Sequence, residues 1–377
     1  MRKFHLAIIA VALAYACSPG SKLQQSEAKP GKELVLKLQP GDNNPRNSEG
    51  DFITLKDGRI LFIYSRYTGT SSSDHGSAYL AGRYSSDKGK TWTTDDRMIV
   101  QQEGTMNVMS VSLLRLQNGD IALFYLKKNS TTDCIPLVRI SKDEANTWTE
   151  PVPCITDRKG YFVLNNDRVI QLKSGRIIMA VALHSTPEEG KWHNNGRLFS
   201  YYSDDNGQTW KASAEVANPN NVTLQEPGLI ELKNGEIMMI IRSSGGVQHK
   251  SYSKDAGQSW STVEPTEIKS PISPATIERI PSTGDLLMVW NNNDGENPAI
   301  KGKRTPLTVA VSKDDGKSWQ HIKNLEDNPD GWYCYIAMDF VGDNVLLSYC
   351  AGSQSQKSHL NVTDITRLNL DWVYDRK

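Results

Sequence analysis

Short apolar, β-rich runs alternate along the chain with polar turns. No stretch shows helical periodicity of useful length. A turn of the form apolar-x-polar-Gly-x-apolar recurs. It reads Leu55–Ile60, Leu116–Ile121, Leu172–Ile177 and Leu232–Ile237, with looser copies at Ile280–Leu286 and Phe340–Val345. Asp-Gly and Asn-Gly between apolar runs are hairpin signals. The run after each turn, as in Ile60-Leu61-Phe62-Ile63-Tyr64, suits a strand buried on both faces.

A second repeat lies between these turns. The string S-x-D-x-G-x-(S/T)-W begins at Ser85, Ser203, Ser253 and Ser312, and a fifth copy at Ser141 has Ala145 in place of Gly. Successive starts lie 56, 62, 50 and 59 residues apart. Asp accepts hydrogen bonds from the turn backbone, and Gly supplies a positive φ. The Trp covers the packed strands with a large apolar area. Ala145 is expected to strain or alter its turn, because a Cβ disfavours positive φ. Five of the 9 Trp occupy this one position, so Trp abundance is architectural.

Six hairpin turns and five boxes imply an all-β chain of six four-stranded blades, a β-propeller that hides its edges by closing into a ring. The sixth blade has no box. Glu33–Leu38 is expected to join the strands after Phe340 and close the ring.

The N-terminus reads as an address. Arg2 and Lys3 precede an apolar run, Phe4 to Ala16, too short to span a bilayer comfortably. It ends Leu13-Ala14-Tyr15-Ala16-Cys17, which resembles a bacterial lipoprotein processing site with Cys17 acylated. Residues 1–17 are thus expected to be a signal peptide, 18–32 a flexible tether and 33–377 one propeller domain. The expected location is the periplasm, outer membrane or cell surface of a bacterium, with membrane contact only through the anchor.

Lys plus Arg and Asp plus Glu are both 43 of 377 residues, so the formal net charge is zero. That argues against a nucleic-acid partner. Cys134, Cys154, Cys334 and Cys350 allow two bridges in three connectivities, or buried free thiols. No His/Cys metal spacing appears, and no metal or cofactor is expected.

The boxes resemble the Asp-box, or bacterial neuraminidase repeat, of the sialidase superfamily, over roughly Asn43 to Gly352. The boxes speak for fold rather than activity. Residue by residue, the resemblance implies Glu226, nine residues before Gly235, as the partner of a nucleophilic Tyr, with Tyr335 the nearest match and Tyr333 second. It implies Arg242 and Arg304 as carboxylate-binding arginines, and Asp74 as acid/base. The family's first-blade arginine would fall near Glu49, and Arg46 is displaced from there by three residues. Either the loop bulges and brings Arg46 in, or the site has two arginines.

Asn166 precedes Gly175 by nine, so Asn166, Asp167 and Arg168 sit at an inner-strand start and suggest either a substrate-contacting wall or a hydrogen-bonded inner tunnel. The long polar loops His184–Arg197 and Asn291–Arg304 are candidates for shaping specificity. The implied function is a monomeric exo-sialidase that releases terminal sialic acid from glycans or glycoconjugates by a retaining Tyr/Glu mechanism. The alternatives are a propeller glycosidase or lyase acting on another acidic sugar, such as a uronic acid, and a non-catalytic glycan-binding propeller.

Overall fold

The computed structural model describes residues 31–376. The apolar segment and Cys17 lie outside that range, as does most of the tether. Chain order begins with β1 (Lys32–Leu38). Blade one is β2 (Asn47–Thr54), β3 (Ile60–Tyr67), β4 (Ala78–Ser85) and β5 (Arg97–Val100). Blade two is β6 (Asn107–Arg115), β7 (Ile121–Ser130), β8 (Asp133–Ser141) and β9 (Val152–Pro153). Blade three has a broken inner strand, β10 (Tyr161–Val163) and β11 (Val169–Gln171), followed by β12 (Ile177–Ser185), β13 (Arg197–Ser203) and β14 (Lys211–Ala212). Blade four is β15 (Leu224–Glu231), β16 (Ile237–Ser243), β17 (Val247–Ser253) and β18 (Glu264–Lys269). Blade five is β19 (Thr276–Arg279), β20 (Leu286–Trp290), β21 (Leu307–Ser312) and β22 (Gln320–Glu326). Blade six is β23 (Gly331–Val341), β24 (Asn344–Ser353) and β25 (Thr363–Asn369), and one helical turn, Leu370–Val373, follows.

Each blade is an antiparallel meander. The fourth strand of blade six is β1, paired with β25 from Lys32↔Leu368 to Leu38↔Thr363. The expected closure by Glu33–Leu38 is therefore present, and the architecture is a six-bladed β-propeller. The apolar clusters lie between blades. Blade-one residues Phe52 and Phe62, for example, pack with Leu346 and Ile365 of blade six.

The box tryptophans seal these seams. Trp210 of blade three meets Phe124 of blade two edge-on at 6.0 Å. The Trp260 indole of blade four donates to Ser200 Oγ of blade three at 2.9 Å. Within a box, the Asp carboxylate accepts from the backbone N–H and the hydroxyl four residues on, as Asp205 does from Thr209. Ala145 keeps the same turn at φ 63°, and its N–H still donates to Ser141 Oγ at 2.9 Å. The turn is kept with a small change, since Asn146 N donates to the Asp143 carbonyl at 3.4 Å where Lys90, Gln208 and Gln258 N donate to an Asp side chain, and the left-handed cost falls on one buried alanine.

Cys134, Cys154, Cys334 and Cys350, the cysteines among the described residues, are buried and free, which resolves the thiol question against bridges among them.

Candidate functional site

The inner strands begin at one axial mouth. Four of them carry a bulge at the same place in their pairing with the second strand. The bulge residues are Glu49, Ser110, Glu226 and Tyr335, all left-handed at φ 46°, 59°, 44° and 58°. Non-glycine residues adopt this conformation at a cost, and such residues concentrate at functional sites. A bulge re-aims its side chain. Two of these four meet across the axis.

The Tyr335 hydroxyl donates to Glu226 Oε1 at 3.1 Å, and Arg242 Nη1 donates to Glu226 Oε2 at 2.6 Å. Arg304 arrives at the end of the loop after β20. Its guanidinium lies 5.4 Å from the Tyr335 ring centroid and 5.3 Å from that of Trp332. Arg304 is 7% exposed and has no carboxylate within salt-bridge distance among the described residues. A buried arginine without a carboxylate has donors for an anion.

Charge from Arg242 of the same blade as Glu226 and from Arg304 of blade five sets the protonation states. Burial works to raise the Glu226 carboxyl, but Arg242 and Arg304 outweigh it and hold it below its ordinary range. Burial, then Glu226, push the Tyr335 phenol well above its ordinary value against the two arginines. The resting pair is therefore a neutral phenol donating to a carboxylate. Burial opposes the Arg304 charge, yet Cys334, Tyr335 and Glu226 together raise its pKa.

Arg46 sits on the other side of the mouth. The bulge at Glu49 brings it inward, and it is fully buried. Its donors are occupied: Nε on Ser48 at 2.8 Å, Nη2 on Glu49 at 2.5 Å and Nη1 on Asp74 at 2.5 Å. Its guanidinium lies 4.5 Å from the Tyr67 ring centroid. The Asp74 side chain is 57% exposed, so the upward pull of desolvation is limited, and Arg46, followed by Lys128, holds its carboxyl below the ordinary value. Burial raises Glu49 despite Arg46.

Relatives and neighbours of known structure share this architecture. Residues 83–362 match the family described as "BNR repeat-like domain". The chain belongs to that family. It is 26% identical over 242 residues to a sialidase of Paraclostridium sordellii, covering 57% of each chain, and so spans little more than half of that relative's length. It is 24% identical to a sialidase of Micromonospora viridifaciens, over 86% of this chain and 55% of that one. A protein of unknown function from Dyadobacter fermentans superposes with a TM-score of 0.71 at 19% identity, covering 90% of this chain and all of that one. An intramolecular trans-sialidase from Ruminococcus gnavus gives 0.70 at 15% identity, covering 92% and 99%. The chain is thus a BNR-repeat member of the sialidase superfamily, a glycoside-hydrolase-like group.

Other expected residues fall elsewhere. Asn166 Nδ2 donates to the carbonyls of Gly50 at 2.9 Å and Tyr335 at 3.2 Å. Asp167 Oδ2 accepts from Met338 N at 3.1 Å. Arg168 braces blade five through Thr276 Oγ1 and the Ala275 carbonyl, both at 2.9 Å. These groups cross-link inner strands along the axis, the tunnel alternative, because the break between β10 and β11 turns them toward neighbouring backbones. Tyr333 packs into the apolar cluster between blades five and six, edge-on to Tyr349, and does not join Tyr335.

The mouth of this BNR-family propeller also holds residues outside the sequence expectation. Lys128, buried at the end of β7, donates to the Asp74 carbonyl at 2.6 Å. Asn107 clamps the same loop through the carbonyls of Asp74 and Gly76 at 2.9 and 2.8 Å. Lys128 Nζ lies 5.3 Å from the Tyr161 ring centroid. No motif marks these positions. Their common signal is placement at strand ends on the mouth side, which appears only once register is known.

Proposed function

We propose that this protein is an exo-glycosidase of sialidase type that releases a terminal acidic sugar, sialic acid, from glycans with retention. The observation that carries the reading is the cluster of Tyr335, Glu226, Arg242 and Arg304, with a neutral phenol donating to a carboxylate beside an arginine that has no carboxylate of its own. A carboxylate nucleophile would be repelled by a substrate carboxylate next to the reacting carbon. A phenol is not, and sialidases with a Tyr nucleophile stand outside the two-carboxylate glycosidase scheme.

In the proposed reaction Arg304 and Arg242 clasp the sugar carboxylate through their free N–H donors. Tyr335 Oη forms a bond to the anomeric carbon as its proton passes to Glu226 Oε1. Asp74 protonates the departing oxygen, then takes a proton from the water that cleaves the Tyr–sugar bond, while Glu226 returns its proton to the departing Tyr335 oxygen. Arg46, held by Glu49 and Asp74, aligns Asp74 and is not a free third arm of the clasp.

The experiment is an assay of purified protein on sialylated oligosaccharides of each linkage. Turnover lost in Glu226→Gln with unchanged melting is expected. No turnover on any linkage, or full activity in that variant, contradicts the proposal. Release of a uronic acid instead would favour a different acidic-sugar glycosidase. That reading is motivated by Glu49 standing where the resemblance places an arginine. Export on a lipid anchor is part of the same proposal, and Cys17→Ala should abolish acyl labelling.

A further inference from the structure

Among the described residues, Trp192 is one of the few large apolar side chains left open, at 47% exposure. Its ring is nonetheless fixed. One face stacks on buried His184, with centroids 4.3 Å apart and planes 5° from parallel, and Tyr161 meets it edge-on at 5.2 Å. The indole Nε1 donates to Asn194 Oδ1 at 3.0 Å. The loop that carries it is closed at its base by His193 N donating to the His184 carbonyl at 2.8 Å.

This loop is seated on the mouth. Gln225, the residue before Glu226, donates from Nε2 to the Asn194 carbonyl at 3.0 Å, and Gly196 N donates to the Leu224 carbonyl at 2.9 Å. Hydrophobic collapse does not explain an aromatic ring held flat with one face covered and one face open. The amides tied to the ring are neutral: Asn194 Oδ1 accepts from the indole, and the Asn194 carbonyl accepts from Gln225. The nearby charges of Glu189 and Arg197 face each other at 3.6 Å.

We propose that the open face of Trp192 is the platform for the neutral sugar that carries the acidic one. A hexopyranose lays its apolar C–H face on the negative face of the indole while the acidic sugar occupies the space beside Tyr335 and Arg304. The rim amides meet its hydroxyls. The inference rests on the proposed exo-glycosidase reading for the acidic sugar, but the platform can be tested without turnover.

Lactose is the probe. Saturation-transfer NMR should show transfer from the protein to the apolar-face protons of lactose, lost in Trp192→Ala and retained in part in Trp192→Phe. With 3′-sialyllactose as substrate, Trp192→Ala should raise KM roughly tenfold and leave kcat within about twofold, the pattern of a binding contact shared by ground and transition states. Equal saturation transfer in wild type and Trp192→Ala overturns the platform, as does an unchanged KM. If no sialoside is cleaved but lactose transfer still depends on Trp192, the catalytic reading fails and the platform stands.

Discussion

The two ends of the propeller use the same kinds of residue to opposite effect. At the turn end, the five box aspartates make near-identical local bonds. Asp87, Asp143 and Asp314 are each held down to about 2, chiefly by the Thr or Ser four residues on. At the mouth, the equivalent bulge positions are not uniform: Glu49 and Glu226 are glutamates, Ser110 a serine and Tyr335 a tyrosine. Two of the contacts cross blades, Tyr335 to Glu226 and Ser110 N to Ser65 Oγ, while Glu49 and Glu226 also hold arginines of their own blades, Arg46 and Arg242. Repetition builds the ring, and departures from repetition build the site. Electrostatics follows a similar division, with box carboxylates answering to their own turn and Glu226 to arginines of the neighbouring strand and of blade five.

That contrast can be broken at either end. The largest effect is expected from Tyr335→Phe. It should lower kcat for sialoside hydrolysis by roughly a thousandfold or more while leaving the melting temperature near wild type. A comparable loss of melting temperature would mean that the mouth is structural.

Next is Arg46→Met, which removes the cation that holds Asp74 down. The free-enzyme pKa of Asp74 should rise. Because Asp74 must be protonated to act as acid, the high-pH limb of kcat/KM should move to higher pH. A limb that stays in place or moves to lower pH would detach Arg46 from Asp74.

At the other end, Asp205→Ala should lower stability by about 1–2 kcal/mol with kcat unchanged, read by denaturant unfolding and initial rates. The smallest effect is expected from Ala145→Gly. The left-handed cost of about 1 kcal/mol is relieved, while a buried methyl of about 0.8 kcal/mol is lost. Stability should therefore change by less than about 0.5 kcal/mol.

The ring was legible in the sequence because turns carry local signals. An Asp, a Gly and a Trp at fixed spacing report a strand connection without knowledge of the rest of the chain, and Glu33–Leu38 was left over as the only strand able to close blade six. Glu226 and Tyr335 were both reached through the family resemblance, Glu226 by its nine-residue distance from Gly235 and Tyr335 as the nearest match to a tyrosine near the last inner strand. Arg46 was ambiguous because a bulge at Glu49 shifts register, and which donors it occupies depends on Asp74 in a distant loop. Asn166–Arg168 matched the counting rule equally well, yet the break in blade three turns them onto neighbouring backbones. Lys128, Asn107 and Trp192 carry no spacing signal, because their roles arise from contacts between blades and loops.

The most direct test traps the intermediate. A sialosyl fluoride carrying a second fluorine at the carbon beside the anomeric centre slows breakdown of the Tyr–sugar bond more than its formation. Intact-mass and peptide analysis after brief incubation should place one sugar on the peptide containing Tyr335, and none on Tyr335→Phe protein. A sugar found on Glu226 or Asp74, or no adduct while the substrate is hydrolysed, would contradict a tyrosine nucleophile in this propeller.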